Sequence, residues 1–339
     1  MPGGGTKAAA GGFRMTRCVL VFIAACMLLS AACSRQPEPV SAESKVKVVT
    51  TLFPLYDFAR SIAGDKAEIL LLLPPGAEAH SFEPKPSDVA HLAKADIFIY
   101  TNKYMEPWAG QMVRGSENGR LLIVDTSRGI SLIEGADEHQ HGHKGKHEHA
   151  SGGQNGKESP DHGRVDPHIW LDFRNALKMV DAIRDGFVQK DPAQKQYYEQ
   201  RAEELKSRLS ALDSRYAAML ATCRTKVMVS GGHFAFGYLA KRHGLHYTSA
   251  YGFSPSAEPS PRDLIRLSRM IRQQGVRYLF HEELVEPRVA ETIARETGAG
   301  LLLLHGAHNI AKADFEHGIT FLQLMEKNYE ALRKGLECQ

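Results

Sequence analysis

Residues 46–73, VKVVTTLFPLYDFARSIAGDKAEILLLL, decide the fold class. Residues 46–51 are short, apolar and β-branched, as a strand is. Pro54 then opens a helix-like run to residue 63, and Pro suits a first helical turn because its missing N–H would be unpaired there anyway. Residues 68–73 are an apolar run of buried-strand length. Strand, helix, strand in this order predicts parallel pairing with helices on the sheet faces.

The alternation continues outward. Residues 87–93 and 106–114 read as helices, and 97–100 and 121–124 as strands. It breaks at 134–163, a stretch of His, Gly, Lys, Ser and Asp with too little apolar surface to pack, which predicts a mobile surface loop. Helix 173–190 follows, and Asp191-Pro192 gives the cap and first-turn signal of another helix to about residue 221. In it Leu205, Leu209, Leu212, Tyr216, Met219 and Leu220 recur every three or four residues as one narrow stripe, which suits a strut lying across a protein. The pattern then restarts: strands at 226–230, 246–249, 277–280 and 301–304, helices at 234–243, 261–273, 287–297 and 315–336. The predicted architecture is α/β, with two similar lobes joined by one long linking helix. The N-terminal lobe is 46–190, the linking helix 191–222 and the C-terminal lobe 223–339.

Residues 1–33 read as a leader. Arg14 and Arg17 precede an apolar run over 19–29, and Ser30-Ala31-Ala32 lie just before Cys33. This is the n-region, h-region and small-residue cleavage site of a secretory signal, too short for a membrane span. Met15 is an alternative start. Ala31-Ala32-Cys33 resembles a bacterial lipobox, which makes Cys33 the expected lipidation site. Cys26 after Ile23-Ala24-Ala25, or plain secretion after Ala32, are the alternatives. Residues 34–45 form a polar tether. Lys7, Arg14 and Arg17 account for the whole +3 formal charge, so nothing basic remains to argue for nucleic acid. Of five Cys, only Cys223 and Cys338 lie beyond the leader, and in an oxidising compartment such a pair reads as a disulfide.

Histidine is the unusual residue. Five of the sixteen, His139, His141, His143, His147 and His149, fall within eleven residues of the polar tract, spaced to bind metal weakly without any fold. His80, His233 and His305 each follow a predicted strand, and His168 stands where the tract ends. Ligands of parallel sheets bind outside the carboxyl ends of the strands, and four neutral imidazoles make a complete tetrahedral set for Zn²⁺. His308, three residues past His305, is an alternative ligand. Glu282 and Glu283 follow a strand end and offer either an oxygen ligand or a salt bridge. His91, His243, His246, His281 and His317 read as surface or core residues.

Three motifs carry a resemblance: PGAEAHSFEPKPSD at 75–88, DPHIWLD at 166–172 and GHFAFGYLA at 232–240. They resemble those of the zinc/manganese-type solute-binding proteins of bacterial ABC transporters, over nearly the whole chain after residue 46. The resemblance implies two lobes on a rigid helix and one metal ion between them, ligated by His80, His168 and His233. The fourth family ligand is usually an Asp or Glu late in the C-terminal lobe. His305 stands at the position that usually reads Asp, which leaves His305 as fourth ligand with His308, Glu282 or a water as alternatives. A His at 233 and the His-rich tract resemble the zinc branch, and imidazole suits Zn²⁺ where Mn²⁺ prefers oxygen.

The expected function is extracytoplasmic capture of Zn²⁺ and its delivery to a membrane permease. The protein is expected to be a lipid-anchored monomer in the periplasm or on the outer face of the cell membrane. Alternatives are capture of manganese or another divalent metal, a surface adhesin on the same fold, and a zinc hydrolase. The hydrolase is disfavoured because the chain has no His-Glu-x-x-His and no Glu clearly placed as general base.

Overall fold

In the computed structural model, which describes residues 1, 3–5, 45–134, 165–253, 259–284 and 286–339, strands and helices alternate from Val46 onward. The first sheet is built by β1 (Val46–Thr50), α1 (Phe53–Ala63), β2 (Ala67–Leu71), α2 (Pro86–Leu92), β3 (Ile97–Tyr100), α3 (Ala109–Gly115) and β4 (Leu122–Asp125). Its order is β2-β1-β3-β4, all parallel. A small antiparallel ribbon, β5 (Ile133–Glu134) with β6 (Val165–Asp166), leads into α4 (Phe173–Lys190) and α5 (Lys195–Ala221). The second sheet comprises β7 (Val227–Ser230), α6 (Gly237–His243), β8 (His246–Ser249), α7 (Pro261–Gln274), β9 (Tyr278–His281), α8 (Arg288–Thr297) and β10 (Gly300–Leu303). Its order is β10-β9-β7-β8, again parallel.

Numbered from its own first strand, each sheet has the order 2-1-3-4 when read from its second strand. The two halves therefore share one topology. Each has a switch point between its first and third strands, where parallel sheets open a ligand crevice.

Helix α5 is the predicted strut. At 1.5 Å per residue its 27 residues span about 40 Å. Tyr198, Ala202, Leu205, Leu209, Leu212, Tyr216, Met219 and Leu220 are its buried stripe. It packs along α4, and its two ends reach different partners. Arg201 Nε donates to Ser61 O of α1 (2.8 Å). The Tyr216 hydroxyl bonds Met325 O of α10 (Phe321–Gly335).

The C-terminal helix differs from the expected 315–336. It is divided into α9 (Lys312–Glu316) and α10, because Gly318 turns the chain at φ 69° and Thr320 caps α10. Thr320 and Gln323 form a capping box that satisfies two helix-end N–H groups. The β5–β6 ribbon was not foreseen, since two residues per strand carry no readable period. Cys33, the leader, nearly all of the tether, and the tract with His139, His141, His143, His147 and His149 lie outside the described residues. Among the described residues no helix is long and apolar enough to cross a membrane.

Cys223 and Cys338 are disulfide-bonded across 115 residues and fasten the end of α5 to the C-terminus. Gln339 N donates to Thr222 Oγ1 beside them (3.1 Å). Replacing both cysteines with Ser is expected to lower stability by roughly 2–5 kcal/mol, since the bond closes a long loop of the unfolded chain. Denaturant unfolding measures this; an unchanged midpoint would contradict it.

Candidate metal centre

Three histidines meet between the sheets. His80 sits in the loop from β2 to α2, where Glu78 folds the turn by accepting from His80 N (2.9 Å) and Ser81 N (2.7 Å). His168 follows β6, just before the 3₁₀ turn Ile169–Leu171. His233 leaves β7 through Ser230-Gly231-Gly232, at the switch point of the second sheet. His168 Nε2 lies 3.2 Å from His80 Nε2 and 3.1 Å from His233 Nε2. One ligand atom from each of the three lies within 4.8 Å of the others. Nitrogens around a tetrahedral zinc at 2.0–2.1 Å are about 3.3 Å apart, so the spacing fits that ion.

The other ring nitrogens explain why the Nε2 atoms converge. His168 Nδ1 is 2.8 Å from Asp166 Oδ1, which also accepts from His168 N (3.0 Å). The Glu282 carboxylate similarly meets both N and Nδ1 of His233. A carboxylate only accepts, so the His168 ring proton is assigned to Nδ1 and its Nε2 lone pair is left to point at the Nε2 atoms of His80 and His233. That arrangement is repulsive by itself and attractive around a cation. Gly232 is required here, because a Cβ at that position would overlap the Glu282 carboxylate.

Charge supports the same reading. Burial, then the neighbouring His233 and other histidines, hold the His80 and His168 imidazoles well below their ordinary value of 6.5, so both are neutral near pH 7. Burial pushes the Asp166 carboxyl well above its usual range, opposed by the His168 N–H. A divalent cation at the shared point favours the charged carboxylate and so offsets the cost of burying it.

The two candidates for a fourth nitrogen separate. The buried His308 ring stands 5.8 Å from that of His233, 6.1 Å from His80 and 6.4 Å from His168. Its Nδ1 has no hydrogen-bond partner among the described residues. His305, favoured by sequence, does not join the cluster. Its Nδ1 lies 2.9 Å from Glu283 Oε1, its N donates to Asn328 Oδ1 (2.7 Å), and its O accepts from Asn328 Nδ2 (2.8 Å). Of the two roles open to Glu282, ligand or salt bridge, the geometry shows the second, with its oxygens on N and Nδ1 of His233. Glu283 organises the loop after β10 by accepting from Gly306 N (2.9 Å) and Ala307 N (3.1 Å). Burial alone would raise its carboxyl, but His305 and then His308 bring it down to about 2.

Sequence reasoning missed the roles of Asp166 and Glu282 behind the rings. Only Asp166 left a signal: an Asp two residues before a His folds a local turn onto the following N–H. Glu282→Gln is expected to weaken metal binding about 10–100-fold, the usual effect of removing the partner that fixes a ligand's orientation. Chelator competition measures it, and a Kd within twofold of the parent would argue against this role.

Comparison with known proteins agrees with the geometry. Residues 48–335 match the family ZnuA, described as zinc-uptake complex component A, periplasmic. The high-affinity zinc uptake system protein ZnuA of Bacillus subtilis is 36% identical over 320 residues, which cover 94% of this chain and 97% of that protein. The zinc-binding lipoprotein AdcA of Streptococcus pneumoniae is 32% identical over 94% of this chain, which spans 61% of that longer protein. The crystal structure of the Zn(II)-bound ZnuA-like domain of S. pneumoniae AdcA superposes with a TM-score of 0.70 at 29% identity, covering 86% of this chain and 99% of that one. With 288 of its residues inside the family match and the three histidines meeting between two like sheets, the chain belongs to the ZnuA family of periplasmic zinc-uptake components.

Proposed function

We propose that this protein captures Zn²⁺ through His80, His168 and His233, with His308 as the fourth nitrogen, and hands the ion to an ABC-type permease in the cytoplasmic membrane. The observation that carries this is the convergence of three Nε2 atoms, with Nδ1 of His168 bonded to Asp166 and Nδ1 of His233 beside the Glu282 carboxylate. An all-nitrogen set prefers zinc to manganese or magnesium. The role is transport rather than catalysis. Four nitrogens leave zinc no open position for an activated water, and Asp166 and Glu282 stand behind the rings where neither can serve as a base. The protein works outside the cytoplasmic membrane as a monomer anchored by lipid at Cys33, with the 139–149 histidines as weak secondary sites.

The test is metal analysis of the purified protein followed by zinc titration across pH. Protons compete with zinc only where they can charge the imidazoles. With His80 and His168 held below 6.5, affinity is expected to stay level from pH 8 to 7 and to fall as pH drops below about 6. Absence of bound zinc, or affinity unchanged down to pH 4, would overturn the assignment.

A further inference from the structure

The loop after β10 belongs by chain order to the second sheet and is tied to Glu283 and Asn328 there, yet other polar contacts of it run to residues that precede α5. Phe53 N donates to His308 O (3.2 Å), Gly76 N to Ile310 O (2.8 Å) and Trp170 Nε1 to Gly306 O (2.8 Å). Asn309 is fully buried at the centre of this seam. Its Nδ2 donates to both Pro74 O (2.8 Å) and Ala77 O (2.6 Å), and its Oδ1 accepts from Ile310 N (2.9 Å).

These bonds bear on His80. Residues 74–81 contain no helix or strand, and His80 is the one member of the three-histidine cluster that is not fully buried. Glu78 holds the turn together internally. Among the described residues, and apart from the adjacent Phe82 N donating to Ala79 O, the hydrogen bonds between 74–81 and the rest of the chain run to Asn309, to Ile310 and, through His80 itself, to His168. His168 rides on the packed segment beside Trp170, and His233 on the end of a strand. In the His80 loop, which lies on no helix or strand, the apolar anchors are small: Ala79 is buried in the core and Ala77 packs against it.

We infer that Asn309 is a positioning residue for the metal site: its amide latches the His80 loop to the segment that carries His308, and thereby sets how long the ion is held. This rests on the reading of His80 as a zinc ligand. The mechanism needs a donor with two hydrogens at this position, because two carbonyl oxygens must be satisfied at once. Asp has the same shape but presents only acceptors when ionised, so it would set a carboxylate against Pro74 O and Ala77 O and release the loop. The coupling is specific. Once His80 can no longer ligate, the latch has nothing left to position.

The experiment is a double-mutant cycle of Asn309→Asp and His80→Ala in the full chain. Zinc Kd and dissociation rate are read by chelator competition, and the Co²⁺ absorption spectrum reports the coordination. Asn309→Asp is expected to raise Kd about 10–100-fold, mainly through faster dissociation. Its Co²⁺ bands are expected to shift towards those of His80→Ala. In the His80→Ala background the same substitution is expected to change Kd less than about twofold, since non-additivity marks a shared interaction. An equal loss in both backgrounds would show a general structural role and overturn the latch, as would an unchanged dissociation rate. If His80→Ala itself leaves Kd unchanged, the site assignment fails and the latch with it. Should Asn309→Asp not fold, Asn309→Ser removes the paired donors without adding charge and is expected to act in the same direction.

Discussion

Replacing His168 with Ala is expected to weaken zinc binding roughly 10²–10³-fold. The free energy of a structural zinc site is about 10–16 kcal/mol, so with four nitrogens, as proposed, each accounts for about 2.5–4 kcal/mol. His168 should lie at the upper end of the set. Its Nε2 is the nitrogen in contact with both His80 and His233, and its ring is fully buried. Its loss also leaves Asp166 buried without the ring it orients and with only backbone N–H support. A carboxylate in that position takes up a proton instead of staying charged. Chelator competition at pH 7.5 gives the number, and the Tm gain on adding zinc should shrink with it. A Kd within threefold of the parent would sink the assignment of the site.

Much of this was legible in the sequence, and the failures share a cause. The alternation of apolar strands with amphipathic helices placed nearly every element, because that period is local. His80, His168 and His233 were legible because strand ends and loop exits of a parallel sheet face one crevice. The different surroundings of His305 and His308 were not, because the chain reverses between them through Ala307 at φ 58°. Non-Gly residues seldom adopt that region, and nothing in an alanine announces it. The same holds for Glu282 and Glu283. They are adjacent at the end of β9, and successive side chains at a strand end point to opposite sides. One therefore meets His233 and the other the 305–307 loop. Asn309 had no signal at all, since its partners Pro74 and Ala77 lie more than two hundred residues away.

Trp170→Ala should give the largest loss of stability of any single change near the site. Trp170 is fully buried in the main core, and its ring centre lies 5.4 Å from that of His168. Truncating a buried Trp to Ala costs about 3–5 kcal/mol through lost burial and the cavity left behind. Its Nε1 also donates to Gly306 O at 2.8 Å, so the substitution strips a buried carbonyl of a partner at about 1–3 kcal/mol more. For a chain of this size each kcal/mol moves Tm by roughly 2–4 °C, so a fall of about 8–30 °C is expected. Trp170→Phe separates the two contributions in part, because it keeps a six-membered aromatic ring while losing the donor and the rest of the indole. It should cost about 1–3 kcal/mol, well under half of the Ala effect. Zinc titration of the Phe variant then tests the seam. Gly306 lies in the loop that carries His308, so losing this tie should weaken zinc binding while leaving His168 against its Asp166 partner. If Phe destabilises as much as Ala, the hydrogen bond rather than the packing holds this seam together. If Ala costs less than about 1 kcal/mol, Trp170 is not the keystone of packing beneath His168.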